Sequence, residues 1–313
     1  MRLPLVANIP QCYDYNVCGR ALPGLMTCSI FREFAAADPH VIFGGAYQLR
    51  RVSFENFHDL LLMNEACRMI ASPQMPSICA ELQTGVLFDR PRLSNSDVAL
   101  TLALSLGGGL GGVNGYLLAA GRSEPGMGAR GRYHEWQAAI ASDGTLRPHA
   151  EAIRQAGRWI AVAQESLAGS QPVYDEAAFG FYAPYYMTEY ASGAMPTRLA
   201  TLRDELFFDG LARLMMLAGF RLPLVDLERA SLLHLRRHRT LVVFALDFMA
   251  RPVQQRLAAY VRGGGRLVVY PTVPITNERL EPEPLLAHAL GVRHIRQIRS
   301  DVVMVGRQEI FSE

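Results

Sequence analysis

"PSICAELQTG", residues 76–85, runs from a proline through a short apolar strand to a single carboxylate, Glu81, and then into a polar, glycine-containing turn. A glutamate in that place is either a surface residue after a buried strand or a functional group released where the strand ends. The flanking sequence bears on the choice. Upstream, "LPLVAN" (3–8) reads as a strand, and "HVIFGGAY" (40–47) as another that closes in a Gly-Gly turn. "FENFHDLLLMNEACRMIA" (54–71) carries apolar residues at helical spacing. "SNSDVALTLALSLGGGLG" (94–111) opens on capping residues and ends in glycines, the start and stop signals of a helix. "GVNGYLLAAG" (112–121) is a further strand, and a helix over roughly 148–166 follows. Strand alternating with helix predicts parallel β/α units.

The polar stretch "SLAGSQPVYDEAA" (166–178) interrupts this alternation and places a boundary between a unit at 1–168 and one at 172–313. Beyond it the pattern restarts. Strands are expected at 179–186, 222–227, 240–247 and 266–272, with helices at 202–219, near 228–237 and at 251–264. These strands are almost continuously apolar, as expected of an open doubly wound sheet covered on both faces.

Composition narrows the function classes. Of 313 residues half are hydrophobic and 19% charged, which is globular and excludes general disorder. A net charge of +2 gives no electrostatic case for nucleic acid. The densest basic stretch, "LLHLRRHR" (232–239), precedes a strand and reads as a solvated helix end. No apolar run reaches membrane-spanning length and "MRLPLVANIPQ" lacks a signal-peptide core, so a cytoplasmic protein with no membrane partner is expected. The five cysteines (Cys12, Cys18, Cys28, Cys67, Cys79) form no CxxC pair and no zinc-like grouping. His234 and His238 have the spacing of two zinc ligands, but no HExxH glutamate lies between them. "GGGLGG" (107–112) and "RGGGR" (262–266) each lie between a helix and a strand, the reverse of a phosphate-binding loop. No metal or cofactor is expected.

In parallel β/α proteins functional groups collect at the carboxyl ends of strands. Glu81 ends one strand, Asn114 and Tyr116 lie on the next, and "GRYHEWQAAIASDG" (131–144) adds Tyr133, His134, Glu135 and Trp136. A carboxylate among aromatic rings and amides suits a sugar, whose ring faces stack and whose hydroxyls hydrogen-bond. "MPSICAELQTG", then "GGVNGYLLAAG", then "GRYHEWQAAIASDGTLRP" resemble, in order and spacing, the carboxyl-terminal half of a clan A β-galactosidase barrel, families 35 and 42 of the glycoside hydrolases. The resemblance covers roughly residues 1–165. Where family 35 has Gly-Gly-Thr-Asn and Ala-Pro-Ile, this chain has "AAGRSE" and "AAI". Residues 172–313 resemble the glutamine-amidotransferase-like domain that follows the barrel in such enzymes. All five cysteines precede residue 80, so that unit has no thiol nucleophile.

The resemblance implies strands five to eight of a (β/α)8 TIM barrel, then a flavodoxin-like domain. It implies a retaining β-galactosidase acting on terminal β-galactosides through a glycosyl-enzyme on Glu81. Alternatives are an exo-β-glucosaminidase or a non-catalytic assembly chain. Gln83, Asn114, Tyr116, Tyr133, Trp136 and Tyr47 are the candidate sugar-binding residues; for Tyr133, core packing and sugar contact stay equally open. Retaining enzymes need a second carboxyl group about 5–5.5 Å from the nucleophile. In the family it belongs to an Asn-Glu pair ending the fourth strand. The Asn64–Glu65 pair lies inside a helical pattern, and Asn277–Glu278 lies in the second unit. The chain is therefore expected to be a fragment or one piece of a split enzyme, inactive alone. Its expected partners are a carbohydrate and either further copies through 172–313 or a chain supplying the first half of the barrel.

Overall fold

The structure is a computed structural model, and it describes residues 5–9, 31–38, 40–47, 51–71, 75–85, 92–127, 133–168, 170–187, 193–293, 302–305 and 308–311. Strands β1 (Leu5–Ile9), β2 (Val41–Tyr47), β3 (Ile78–Gln83) and β4 (Gly112–Tyr116) form one parallel sheet in sequence order. Helices α1 (Phe57–Ile70) and α2 (Asn95–Gly107) make the crossovers before β3 and β4. Ser94 caps α2 as the sequence suggests, its hydroxyl accepting from the Asp97 amide while the Asp97 carboxylate accepts from the Ser94 amide. β4 is shorter than the ten-residue run predicted it to be. The chain turns after Tyr116 and forms a small antiparallel pair, β5 (Gly121–Arg122) with β6 (Tyr133–His134). Helix α3 (Ala150–Ala168) closes this part.

A second parallel sheet holds β7 (Ala177–Phe181), β8 (Leu224–Asp226), β9 (Thr240–Ala245) and β10 (Arg266–Pro271) in the order β10-β9-β7-β8. That order is flavodoxin-like, with the first strand between the second and third. Three expectations change here. The strand predicted over 179–186 ends at Phe181, because Pro184 has no N–H for a ladder and starts a short 3₁₀ turn, Ala183–Tyr185. The helix predicted over 202–219 begins earlier, as α4 (Met195–Leu202), and passes through a wide π-helical stretch, Arg203–Ala212, into α5 (Arg213–Leu217). The adjacent Phe207 and Phe208 in that stretch are both buried. The helix expected near 228–237 is only α6 (Leu232–Leu235), started by the Ser231 hydroxyl. Helix α7 (Arg251–Arg262) covers the sheet through Val253, Leu257 and Ala258.

The two sheets share one contiguous core. Phe43, Cys79 and Leu82 from the first belong to the same buried cluster as Phe179, Leu224 and Val242 from the second. Helix α1 lies between them, touching β2 and α2 on one side and β8 and the π-helical stretch on the other. It is consequently buried on nearly every face, polar His58, Asn64 and Glu65 included. Polar ties reinforce the junction. Arg32 bonds Asp226 at 2.9 Å and Glu228 at 2.8 Å, and Arg221 donates to the Gly107 carbonyl at 3.1 Å. Cys67 and Cys79 are buried free thiols, whereas Cys12, Cys18 and Cys28 lie outside the described residues. Among the described residues no helix is long and apolar enough to cross a membrane.

Candidate active site

Strand β3 does not alternate regularly. Cys79 and Leu82, three residues apart, both reach the core beneath the helices, and the pairing with both neighbouring strands shifts between them. Ala80 and Glu81 therefore occupy the opposite, inner face together. This is a β-bulge, a device that re-aims a side chain. In a regular strand Glu81 would share the face of Cys79, two residues earlier, and sink into apolar packing. The bulge instead leaves its carboxylate half-buried near the carboxyl end of a strand that runs past Glu81, where the sequence suggested it would stop, to Gln83.

Two asparagines hold this arrangement. Asn114 on β4 donates from Nδ2 to the Ala80 carbonyl at 2.9 Å, filling the acceptor that the bulge takes out of the ladder. Asn8, near the end of β1, donates from Nδ2 to Glu81 Oε1 at 2.6 Å. Asn8 was not among the sequence candidates. A contact spanning 73 residues has no local signature, and an Asn ending a strand reads as the start of a turn.

The aromatic side of the site stands on the loops after β3 and β4. Tyr116 is in register with Gln83, so both fall on the inner face with Glu81. The Tyr116–Leu117 peptide is cis. The Trp136 ring lies 6.1 Å from that of Tyr116 and stacks on His134 at 5.4 Å, nearly parallel. Trp136 and Gln137 have φ of 33° and 47°, the left-handed region that costs a non-glycine residue energy. The Gln137 carboxamide compensates by clamping Leu93 twice, accepting from its amide at 2.7 Å and donating to its carbonyl at 2.6 Å. Gly85 closes the joint between the two loops, since a Cβ there would stand 2.6 Å from the Trp136 carbonyl oxygen. His149, another residue the sequence did not single out, is buried beneath them, close to the backbone of Gln137 and Thr84. Burial pushes its imidazole below the ordinary histidine range.

The remaining candidates divide. Gln83 is 5% exposed and sits in the strand beside the nucleophile candidate. Tyr47 ends β2 in register with Leu82, and Tyr133 pairs with Arg122; the side chains of both lie outside the described ones. Glu135 is held by Ser142 and Arg147, contacts that keep its carboxyl below the usual range. Glu65 is on α1 as expected, facing the second sheet's side of the molecule, where it accepts from Tyr174. His234 and His238 stack edge to face 5.9 Å apart, and among the described residues no group of three or more metal-binding side chains occurs.

A carboxylate near the end of a strand, on the inner face of parallel β/α units, is where (β/α)8 barrels build their sites. The chain has the fold of the GH42 β-galactosidases. A GH42 β-galactosidase from G. stearothermophilus superimposes with a TM-score of 0.57 at 12% identity, over 81% of this chain and 36% of that one. The described strands are thus the carboxyl-terminal half of a TIM barrel followed by the flavodoxin-like unit. Residues 190–312 match the family described as "GLMA-like, second domain". In sequence the chain is similar to a beta-1,2-glucosyltransferase of Ignavibacterium album, 27% identical over all of this chain and 45% of the relative. It is also similar to an exo-beta-D-glucosaminidase of Pyrococcus horikoshii, 30% identical over 64% of this chain and 26% of the relative. The chain spans less than half the length of these curated relatives.

Proposed function

We propose that this chain carries the nucleophile half of a retaining enzyme acting on terminal β-linked sugars, with Glu81 as the nucleophile. The observation that supports it most is the bulged end of β3, which presents one carboxylate on the inner barrel face, anchored by Asn8. In such a reaction a Glu81 oxygen bonds to the anomeric carbon as the aglycone departs, and a second acceptor then displaces the glutamate. Trp136 and Tyr116 offer ring faces for the sugar. The galactoside reading draws on the shared fold, while both sequence relatives are named for gluco-configured sugars. A terminal β-glucoside or β-glucosaminide is therefore the substrate class we favour.

A second reading concerns the acceptor. The relative that matches the whole chain is named a glucosyltransferase. A glycosyl-enzyme on Glu81 serves either outcome, because water and a sugar hydroxyl attack the same carbon. The test is turnover of aryl β-glucoside, β-glucosaminide and β-galactoside by the full-length protein, with and without a disaccharide acceptor. Aglycone release that rises with the acceptor and yields longer sugars marks transfer; release unaffected by it marks hydrolysis. Turnover confined to the galactoside would overturn the gluco-configured assignment.

A further inference from the structure

We propose that Asn8 is a positioning residue for Glu81: its carboxamide anchors Oε1 and so sets the rotation in which the carboxylate meets the anomeric carbon. This inference rests on the reading of Glu81 as the nucleophile. The 2.6 Å contact joins a donor to a group that, when ionised, only accepts, and charge-assisted bonds of this kind are short and strong.

The topology explains why these two residues meet although β2 lies between their strands. Side chains inside a (β/α)8 barrel lie in layers, each supplied by alternate strands. Strands β1 and β3 are alternate, and the tilt of barrel strands brings a residue of one level with a residue further along the next but one. The intervening strand yields space at Gly44, which is the register partner of both Asn8 and Ile78. A Cβ on Gly44 would come 3.0 Å from the Cβ of Ala80, the bulge residue. Gly44, the bulge and Asn8 thus form one device. The glycine leaves room for Ala80 to turn inward, the bulge brings Glu81 to the inner face, and Asn8 fixes the carboxylate that arrives there.

In the step concerned, a lone pair on the Glu81 carboxylate forms the bond to the anomeric carbon while that carbon's bond to the leaving group breaks with its electron pair. A 2-deoxy-2-fluoro-β-glucosyl fluoride isolates this step, because fluoride departs without needing a proton and the adduct accumulates. The experiment measures, by peptide mass spectrometry, the rate at which Glu81 is labelled in the full-length protein and in Asn8→Ala and Asn8→Asp.

The expected result is a labelling rate constant lowered about 10- to 100-fold in Asn8→Ala, the range for losing a hydrogen bond to a charged group, with the half-saturating reagent concentration unchanged. Asn8→Asp should be slowed at least as much. It keeps the shape of asparagine but replaces the donor with a charge that repels Glu81. A residue that only filled space would give the opposite order, with the isosteric Asp harmless. Asn8→Asp labelled at the wild-type rate would overturn the positioning role alone. Absence of label on Glu81 in the wild-type protein would overturn the nucleophile reading, and this one with it. Should Asn8→Ala unfold, Asn8→Asp still decides the question.

Discussion

The hydroxyl of Tyr174, on the segment leading into the second sheet, donates at 2.8 Å to the buried carboxylate of Glu65 on α1. Burial pushes the Glu65 carboxyl up from its ordinary range, and the Tyr174 hydroxyl and Arg68 offset only part of that. A carboxyl raised on folding binds its proton more tightly in the native state. It therefore weakens the fold progressively as pH rises through and above the usual carboxylate range. Glu65→Gln, which keeps an acceptor for Tyr174, should match or exceed wild-type stability at pH 7, with the difference vanishing below pH about 4. Glu65→Ala leaves Tyr174 without its acceptor and should cost about 1–3 kcal/mol. Urea melts across pH would check both. A fall in turnover of several orders of magnitude in Glu65→Gln, with the fold intact, would instead make Glu65 an acid/base.

Glu81→Gln should lower turnover of the full-length protein by several orders of magnitude without altering its melt. In Glu81→Gly the vacated position admits a small anion, so azide should restore part of the rate and yield a glycosyl azide of inverted configuration. Turnover close to wild type in either variant would remove Glu81 from the chemistry.

On the proposed reading, Trp136→Ala deletes a ring face for the sugar rather than a reacting group. The Michaelis constant should rise more than kcat falls. Gly85→Ala acts on the same wall from behind, because the new methyl meets the Trp136 carbonyl oxygen. Overpacking of this kind typically costs about 1–3 kcal/mol, and displacement of Trp136 should again raise the Michaelis constant. A Trp136→Ala enzyme with an unchanged Michaelis constant and a lowered melting temperature would return the ring to a packing role.

Residues 172–313 contain no cysteine, so they lack the thiol on which glutaminase chemistry depends. Incubating the protein with glutamine should release no ammonia above the uncatalysed background. Release that survives purification would point to a different nucleophile in the second unit.

The strands that carry the site were legible in the sequence because each is a short apolar run bounded by Pro, Gly or Asn, and Glu81 stood out as the one carboxylate ending such a run in the first unit. The helix caps at Ser94 and Ser231 follow equally local rules. What the sequence concealed depends on partners distant along the chain. Nothing in "ICAEL" marks Ala80 as an extra residue; the bulge exists because β2 and β4 pair with either side of it. Asn8 acquires meaning only when Glu81, 73 residues on, is folded against it. The left-handed turn at Trp136 and Gln137 is hidden for the same reason, since the clamp that holds it ends on Leu93. The segment 179–186 misled in a different way. Its aromatic residues suit a strand, but Pro184 stops the ladder and the tyrosines beyond it pack as a turn.

The core shared across α1 makes the flavodoxin-like unit a buttress for the strand that bears Glu81. Leu82 and Cys79 pack in the same cluster as Leu224 and Val242, so loosening one sheet lowers the cost of opening the other. The pair should unfold as one cooperative foldon, with amides of β3 and β9 exchanging hydrogen at similar rates. Selection for altered turnover then has purchase far from any sugar. Substitutions on the second sheet's helices can change the rigidity of the strand that bears Glu81 without touching it, and a library restricted to the barrel would miss them.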